Sequence, residues 1–346
     1  MKTDSPSALG YRMPAEWERH QATWLSWPHN RDTWPGLFPG VEPAMAEVVR
    51  ALAPSEPVFV NVLDGDHERH VRRLLERVAP RDRLEFFGIP TNDAWIRDHG
   101  AIFVTRQGPE PLLALDFDYN AWGGKYPPFD RDQLVARQMA KELGVPRYVP
   151  GIVLEGGSID VNGAGAVLTT EQCLLNPNRN PKLGREEIED VLRATLGVSQ
   201  VLWLGEGIEG DDTDGHIDDI TRFVAPGRVV TVVERNAADP NHAPLAANRE
   251  RLESFEVDGV GRLEVLELPM PEPVVNGDER LPASYANFYI ANEAVLLPVF
   301  RCRHDDEARE VLAACFPDRE IVPIDCRVLV GGLGAIHCLT QQVPAV

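Results

Sequence analysis

Short β-branched runs alternate with amphipathic segments along this chain, and the alternation repeats. Residues 57–64 (PVFVNVLD) are β-branched and aromatic enough to predict a strand. Residues 67–79 place Val71, Leu74, Leu75 and Val78 on one helical face, and 42–53 do the same with Met45, Val48, Val49 and Leu52. Further helices are predicted at 130–144, closed by Gly144, at 185–197, closed by Gly197, and at 241–255 and 305–316. Between them lie strands at 22–30, 84–90, 100–105, 112–120, 200–207, 263–269 and 320–326. Turn signals divide 151–170, 216–234 and 284–300 into strand pairs, with NGAG at 162–165 as a hairpin signal. Residues 335–340 (AIHCLT) read as a last strand and 1–21 as an N-terminal arm.

One helix recurs per roughly 50–60 residues, which predicts a structural repeat in element order without identity between units. An open doubly wound sheet and short sheets repeated radially about an axis both fit this order. Strand pairs joined by short turns are antiparallel, which disfavours a purely parallel sheet. The expectation is the radial α/β arrangement, as one domain over residues 1–346. It would bring strand ends from every repeat to a central cavity.

Composition bears more on function. A hydrophobic share of 43% provides ample core, while no run of about 18 apolar residues suggests a membrane helix. The start, MKTDSPSALGYRMPAEW, lacks the apolar region of a secretory signal, so a cytoplasmic protein is expected. Cys173, Cys302, Cys315, Cys326 and Cys338 are odd in number and form no CxxC, which points to reduced thiols. The net charge of −20 argues against nucleic acid or an anionic membrane as partner and suits a cationic substrate. Solubility alone also accounts for it.

Polar clusters fall at predicted strand ends, where scaffolds carry binding residues. Residues 91–100 (TNDAWIRDHG) set Asp93, Trp95, Arg97 and Asp98 between two strands. A carboxylate there can take two parallel hydrogen bonds from a guanidinium, or simply pair with Arg97. Glu155 stands before two glycines, aimed at a cavity or solvated in a turn. In residues 211–219 (DDTDGHIDD), a strand would point His216 and Asp218 to one face, and carboxylates nearby favour a protonated imidazole. His-x-Asp can also ligate zinc, although no H-E-x-x-H is present. Trp122, in the glycine-rich YNAWGG, offers an aromatic wall for a cation or alkyl chain, or ordinary core. Asn287 is an amide in an apolar strand and needs a partner if buried. Residues 176–181 (NPNRNP) read as consecutive turns without chemistry. In the tail GGLGAIHCLTQQ (331–342), glycines admit positive φ or close approach beside Cys338. As a thiolate Cys338 would be a nucleophile with His216 as general acid and base; otherwise it is a buried thiol ending a C-terminal strand.

Taken in order, MPAEWERHQATWLSWP, TNDAWIRDHG, FDYNAWGGKY, LEGGSIDVNG, LLNPNRNP, DDTDGHIDD, SYANFYIAN and GAIHCLTQQ resemble the agmatine deiminase branch of the bacterial peptidylarginine deiminase family, within the guanidine-modifying superfamily. The resemblance spans nearly the whole chain. It implies a five-bladed α/β propeller (the pentein fold) of ββαβ-like modules about a pseudo-fivefold axis. It also implies Cys338 as nucleophile, His216 as general acid and base, and Glu155 as the carboxylate orienting that histidine. Asp98 and Asp218 would grip a guanidinium, Trp95 and Trp122 would flank the substrate chain, Asp212 would lie near its far amine, and Asn287 near the site. The implied reaction is agmatine plus water to N-carbamoylputrescine plus ammonia through an amidino-cysteine intermediate, with no metal or organic cofactor.

Other readings stay open at this point. They are deimination of another guanidine, such as a peptidyl C-terminal arginine with Arg179 or Arg222 anchoring its carboxylate, a non-catalytic binding protein, or a zinc amidohydrolase. Oligomeric state, including a homo-oligomer, is open as well. Ala335 stands where Gly or Asn is more usual in the resemblance, which raises the question of how the loop sets the sulfur.

Overall fold

The computed structural model describes residues 5–346; the first four residues of the expected arm lie outside the described residues. The first module runs β1 (His20–Ser26), α1 (Phe38–Leu52), β2 (Val58–Asn61), α2 (Gly65–Leu75) and β3 (Leu84–Phe87). The second has β4 (Ile102–Thr105), β5 (Leu112–Leu115), α3 (Val135–Leu143) and β6 (Arg147–Tyr148). The third has β7 (Asp160–Val161), β8 (Ala166–Thr170), α4 (Arg185–Leu196) and β9 (Gln200–Leu204). The fourth has β10 (Thr221–Ala225), β11 (Arg228–Val233), α5 (His242–Ser254) and β12 (Glu264–Pro269). The fifth has β13 (Tyr289–Ile290), β14 (Ala294–Val299), α6 (Asp305–Cys315) and β15 (Glu320–Asp325), and β16 (Gln341–Pro344) ends the chain.

Modules two to five share one topology. An antiparallel hairpin is followed by a helix and a third strand parallel to the second, as in β10–β11–β12 and β13–β14–β15. The parallel step needs a crossover, and the amphipathic helix provides it. The first module lacks a hairpin partner of its own, and β16 supplies it. Gln341 pairs with Trp24 and Val343 with Ala22, antiparallel, so the chain's last strand completes its first sheet. Five ββαβ modules therefore close into the expected α/β propeller.

Local chemistry sets the helix ends. Asp64 caps α2 by accepting from the backbone N–H groups of Asp66 and His67, both at 2.9 Å. Gly144 closes α3 in the left-handed region at φ 64°. The buried face of α1 is Val41, Met45, Val48, Val49 and Leu52, the helical periodicity visible in the sequence. Among the described residues no helix is long and apolar enough to cross a membrane.

The strand pair predicted at 216–234 is present as β10 and β11, but its first residues, and the strand predicted at 335–340, are turns. Residues 217–219 form a 3-10 turn before β10, and 335–340 form turns before β16. Asp is a poor strand former, and Gly215 turns the chain at φ 85° just upstream. In the second segment the Thr340 hydroxyl donates back to the Ile336 and His337 carbonyls, at 3.0 and 3.1 Å, which favours a turn over a ladder. The turns matter because side chains close in sequence now converge on one point.

Candidate active site

Each module places one segment immediately before the first strand of its hairpin. Asp98 precedes β4, Glu155 to Gly157 precede β7, His216 to Asp218 precede β10, Asn287 precedes β13 and Cys338 precedes β16. Five equivalent positions thus supply polar side chains to one buried centre.

Gly157 marks where they meet. A Cβ at 157 would lie 2.6 Å from His216 Nδ1, 2.9 Å from Asp98 Oδ1 and 3.0 Å from Asp218 Oδ2. Its backbone N–H donates to Asp98 Oδ1 at 2.9 Å, and Trp122 Nε1 donates to Asp98 Oδ2 at 3.0 Å. Asp98 Oδ1 also lies 3.8 Å from His216 Nδ1. Burial, which disfavours ionisation, moves the Asp98 carboxyl above its ordinary range despite the nearby histidine. Burial alone would lower the basicity of His216, but the Asp98 carboxylate, Cys173 and Asp218 outweigh it and hold the imidazole well above its ordinary range.

Cys338 is buried, only 6% exposed. Asn287 Nδ2 donates to Sγ at 3.1 Å and to Asp219 Oδ1 at 3.0 Å. The Asn287 amide, an oddity in an apolar segment, thereby finds the partners a buried amide requires. Asp218 Oδ2 lies 3.8 Å from Sγ. Burial and then the Asp218, Asp219 and Asp98 carboxylates push the thiol well above its ordinary pKa. Asp219 is itself raised by burial and by Asp218, which favours its neutral form.

Glu155 is fully buried, and Arg179 donates to its Oε1 at 2.7 Å. No hydrogen bond joins Glu155 directly to His216. The two share a pocket with Cys173, their candidate ligand atoms all within 4.8 Å of one another. A divalent ion held there would sit beside the buried Arg179 guanidinium that already compensates Glu155, so the trio fits an ion poorly. Arg179, from the NPNRNP turns that suggested no chemistry in the sequence, is the anchor of this wall. It also donates to the Thr213 carbonyl at 2.7 Å and pairs with Asp214. An arginine inside a run of turns was the available signal.

Trp122 and Trp95 have different surroundings. Trp122 donates to Asp98 and packs edge-on against Tyr126, with ring centroids 5.7 Å apart. Trp95 packs on Trp34 at 5.4 Å and lies under the cysteine loop. The loop glycines answer to this packing. A Cβ at Gly332 would meet Trp34 at 2.5 Å and one at Gly334 would meet Trp95 at 2.6 Å. Close approach, not positive φ, requires glycine there. The left-handed residue is Leu333, at φ 73°, and not Ala335, so alanine fits this loop without backbone strain. Asp212 lies apart from the central cluster. The Tyr126 hydroxyl donates to its carboxylate and Lys125 to its carbonyl.

Several buried polar atoms of the centre have no hydrogen-bond partner within the chain: both ring nitrogens of His216, Oδ1 of Asp218 and Oε2 of Glu155. Buried groups of this kind are costly unless something fills them, which marks the centre as a place for a polar ligand. Arg222 and Arg179, the cations that a substrate carboxylate would need, are both committed. Arg222 pairs with Glu16 at 2.9 Å and with Asp160.

A family model described as Porphyromonas-type peptidyl-arginine deiminase matches residues 12–344. The chain is similar to the agmatine deiminase of Ectopseudomonas mendocina, with 40% identity over 367 residues that cover 99% of this chain and 98% of the relative. Among solved structures it is similar to the agmatine deiminase of Enterococcus faecalis, with TM-score 0.92, 34% identity, and coverage of 99% of this chain and 98% of that one. It is also similar to a C. jejuni agmatine deiminase with substrate bound, with TM-score 0.88, 32% identity, and coverage of 97% and 96%. A remote likeness to an amidinotransferase of Microseira wollei, at TM-score 0.50 and 11% identity, bears on the fold alone. With a five-module ring, a buried thiol–imidazole–carboxylate centre and relatives matched almost end to end, the chain belongs to the Porphyromonas-type peptidyl-arginine deiminase family.

Proposed function

We propose that the protein hydrolyses agmatine to N-carbamoylputrescine and ammonia, through a covalent intermediate on Cys338. The observation that carries this reading is the convergence of one thiol, one imidazole and two carboxylates on a buried centre with unfilled hydrogen-bonding atoms. Among simple ligands a guanidinium suits it best, being planar, cationic and rich in N–H donors.

Asp98 and Asp218 accept from the guanidinium nitrogens and hold its carbon before Sγ. The free-enzyme thiol is neutral, because burial and carboxylates disfavour the thiolate. An arriving cation offsets those carboxylates, so the proton leaves to solvent and the thiolate forms when its electrophile is present. Sulfur attacks the guanidinium carbon to give a tetrahedral adduct. Imidazolium His216 donates a proton to one amino group, ammonia leaves, and an S-alkylthiouronium remains on Cys338. The neutral imidazole then takes a proton from water, which attacks the same carbon. The second adduct expels the thiolate and releases the ureido product. Glu155, held by Arg179, walls the pocket of His216.

The choice of agmatine over arginine rests on charge. Among the described residues, Arg179, Arg222 and Lys125 are all paired, Lys125 with Asp214 at 2.8 Å, so a substrate carboxylate would meet no free cation beside the centre. Asp212, beside Tyr126, suits a primary ammonium. Ammonia release should be measured with agmatine, arginine and a peptidyl-arginine, for wild type and Cys338→Ser, with and without chelator. Expected are agmatine turnover at least about 100-fold above the others, no turnover by the serine variant, and no effect of the chelator. Preference for arginine would overturn the substrate, retained activity in Cys338→Ser the nucleophile, and chelator sensitivity the metal-free chemistry.

A further inference from the structure

His337 sits directly before the thiol and is 2% exposed. Its Nδ1 faces Asp218 Oδ2 at 2.6 Å and its Nε2 faces Glu16 Oε2 at 2.8 Å. An ionised carboxylate only accepts hydrogen bonds, so each ring nitrogen must donate, and a ring that donates from both is an imidazolium. Both carboxylates are held in their charged form. Burial opposes this at each, but Arg222, His337 and Arg97 keep Glu16 well below the usual carboxylate range, and His337 and His216 keep Asp218 low.

Glu16, Asp160 and Asp218 are the anions of this buried group, and Arg97, Arg222 and His337 are its cations, linked pairwise. A neutral His337 would set an unprotonated ring nitrogen against one of the two carboxylate oxygens, which is costly in a buried site. The groups facing the ring are Glu16, Asp218, the Tyr289 ring at 6.5 Å and, through its Nε on the His337 carbonyl at 3.3 Å, Arg97. The His337 backbone N–H donates to Asn287 Oδ1 at 2.9 Å, and the same Asn287 donates to the sulfur.

We infer that His337 is a positioning residue: as an imidazolium it fixes Asp218 through Oδ2, the oxygen 3.8 Å from the sulfur, leaves Oδ1 free to accept from the substrate, and ties that carboxylate to Glu16 of the N-terminal segment. The inference rests on Asp218 gripping the substrate. It assigns the N-terminal segment a part in the reaction, since Glu16 fixes the far side of the ring. It also explains why Asp218, with Oδ2 occupied, keeps its other oxygen without a partner in the chain.

The test combines nitrogen NMR of histidine-labelled full-length protein with kinetics on agmatine. In wild type, the ring signal that disappears in His337→Gln should show two protonated nitrogens. Glu16→Gln should move that signal, which assigns it even if the first variant folds poorly. His337→Gln retains a donor toward Glu16 but none toward Asp218. It should lower kcat/KM about 10- to 100-fold, chiefly through KM, while His337→Asn, with a donor toward Asp218, recovers part of the loss. A wild-type ring with one unprotonated nitrogen would overturn the inference, as would kcat/KM within twofold of wild type in His337→Gln. Wild type that fails to turn over agmatine yet shows the imidazolium would overturn the substrate reading and leave the clamp standing.

Discussion

Replacing Gly157 with alanine tests the convergence of the centre with one methyl group. The backbone at 157 lies outside the left-handed region, so alanine adds no conformational strain and acts by contact alone. Its Cβ would stand 2.6 Å from His216 Nδ1, where ordinary contact begins near 3.4 Å, and nearly as close to Asp98 and Asp218. The imidazole must retreat by several tenths of an ångström, and both carboxylates by somewhat less. None of the three is the free end of a flexible exposed chain, because each is buried. A misplacement approaching 1 Å at reacting groups costs about 100-fold, or roughly 2.7 kcal/mol of transition-state stabilisation. Overpacking a buried site costs about 1–3 kcal/mol of stability, so the variant should fold and melt a few degrees lower. Continuous ammonia release with agmatine, read beside a thermal melt, is the assay. The reasoning predicts kcat down by about two orders of magnitude with cooperative unfolding preserved. A kcat within threefold of wild type would refute it, because His216, Asp98 and Asp218 could not then meet at this glycine.

Three further outcomes follow from the same geometry. Asp218→Asn removes a negative charge that, after burial, raises the Cys338 thiol, so its pKa should fall. Iodoacetamide should then alkylate Cys338 faster than in wild type near pH 8, while agmatine turnover drops; an unchanged alkylation rate would contradict the charge account. Arg179→Lys replaces a planar fork with a compact ammonium that cannot reach Glu155, Asp214 and the Thr213 carbonyl together, and breaking such a buried pair costs about 3–5 kcal/mol. A melting temperature unchanged by that variant would show that the wall does not depend on Arg179. Ala335→Gly should leave kcat/KM within about threefold, since the left-handed residue of the loop is Leu333. A larger change would show that the methyl group sets the sulfur.

Periodicity in the sequence marks the helices well, because an amphipathic helix records its buried face in its spacing, as α1 and α4 do. It also exposes the repeat, because each module needs a hairpin, a crossover helix and a parallel strand. The closure of β1 by β16 is not legible that way. Pairing between the two ends of a chain leaves no local signature, and the first sheet shows no gap until its missing strand is found. The turns at 217–219 and 335–340 were hidden for another reason. Apolar neighbours such as Ile217, Ile336 and Leu339 mimic a strand, while the turns arise from back-bonding hydroxyls and from carboxylates gathered around His216.

The site was legible in part for the same physical reasons. Polar residues in apolar surroundings stand out, so Asp98, Glu155, His216, Asp218, Asn287 and Cys338 could be named before their geometry was known. Their convergence has a simple cause, since each stands just before the first strand of a hairpin in its own module. The roles of Arg179 and Glu16 were not legible, although an arginine inside turns was a signal in itself. An arginine within turns and a glutamate in an arm resemble solvated residues, and only the fold buries them against Glu155 and His337. For the loop glycines the sequence left positive φ and close approach both open, and the tryptophan rings pressed against them decide for close approach.

The central claim is covalent chemistry at Cys338. Intact-protein and peptide mass spectrometry of samples quenched in acid during agmatine turnover would test it most directly. The mechanism predicts a transient adduct with the mass of agmatine less ammonia, confined to the Cys338 peptide and absent from Cys338→Ser. Active enzyme that shows ammonia release under the same quench but no such adduct, or an adduct on another cysteine, would contradict it.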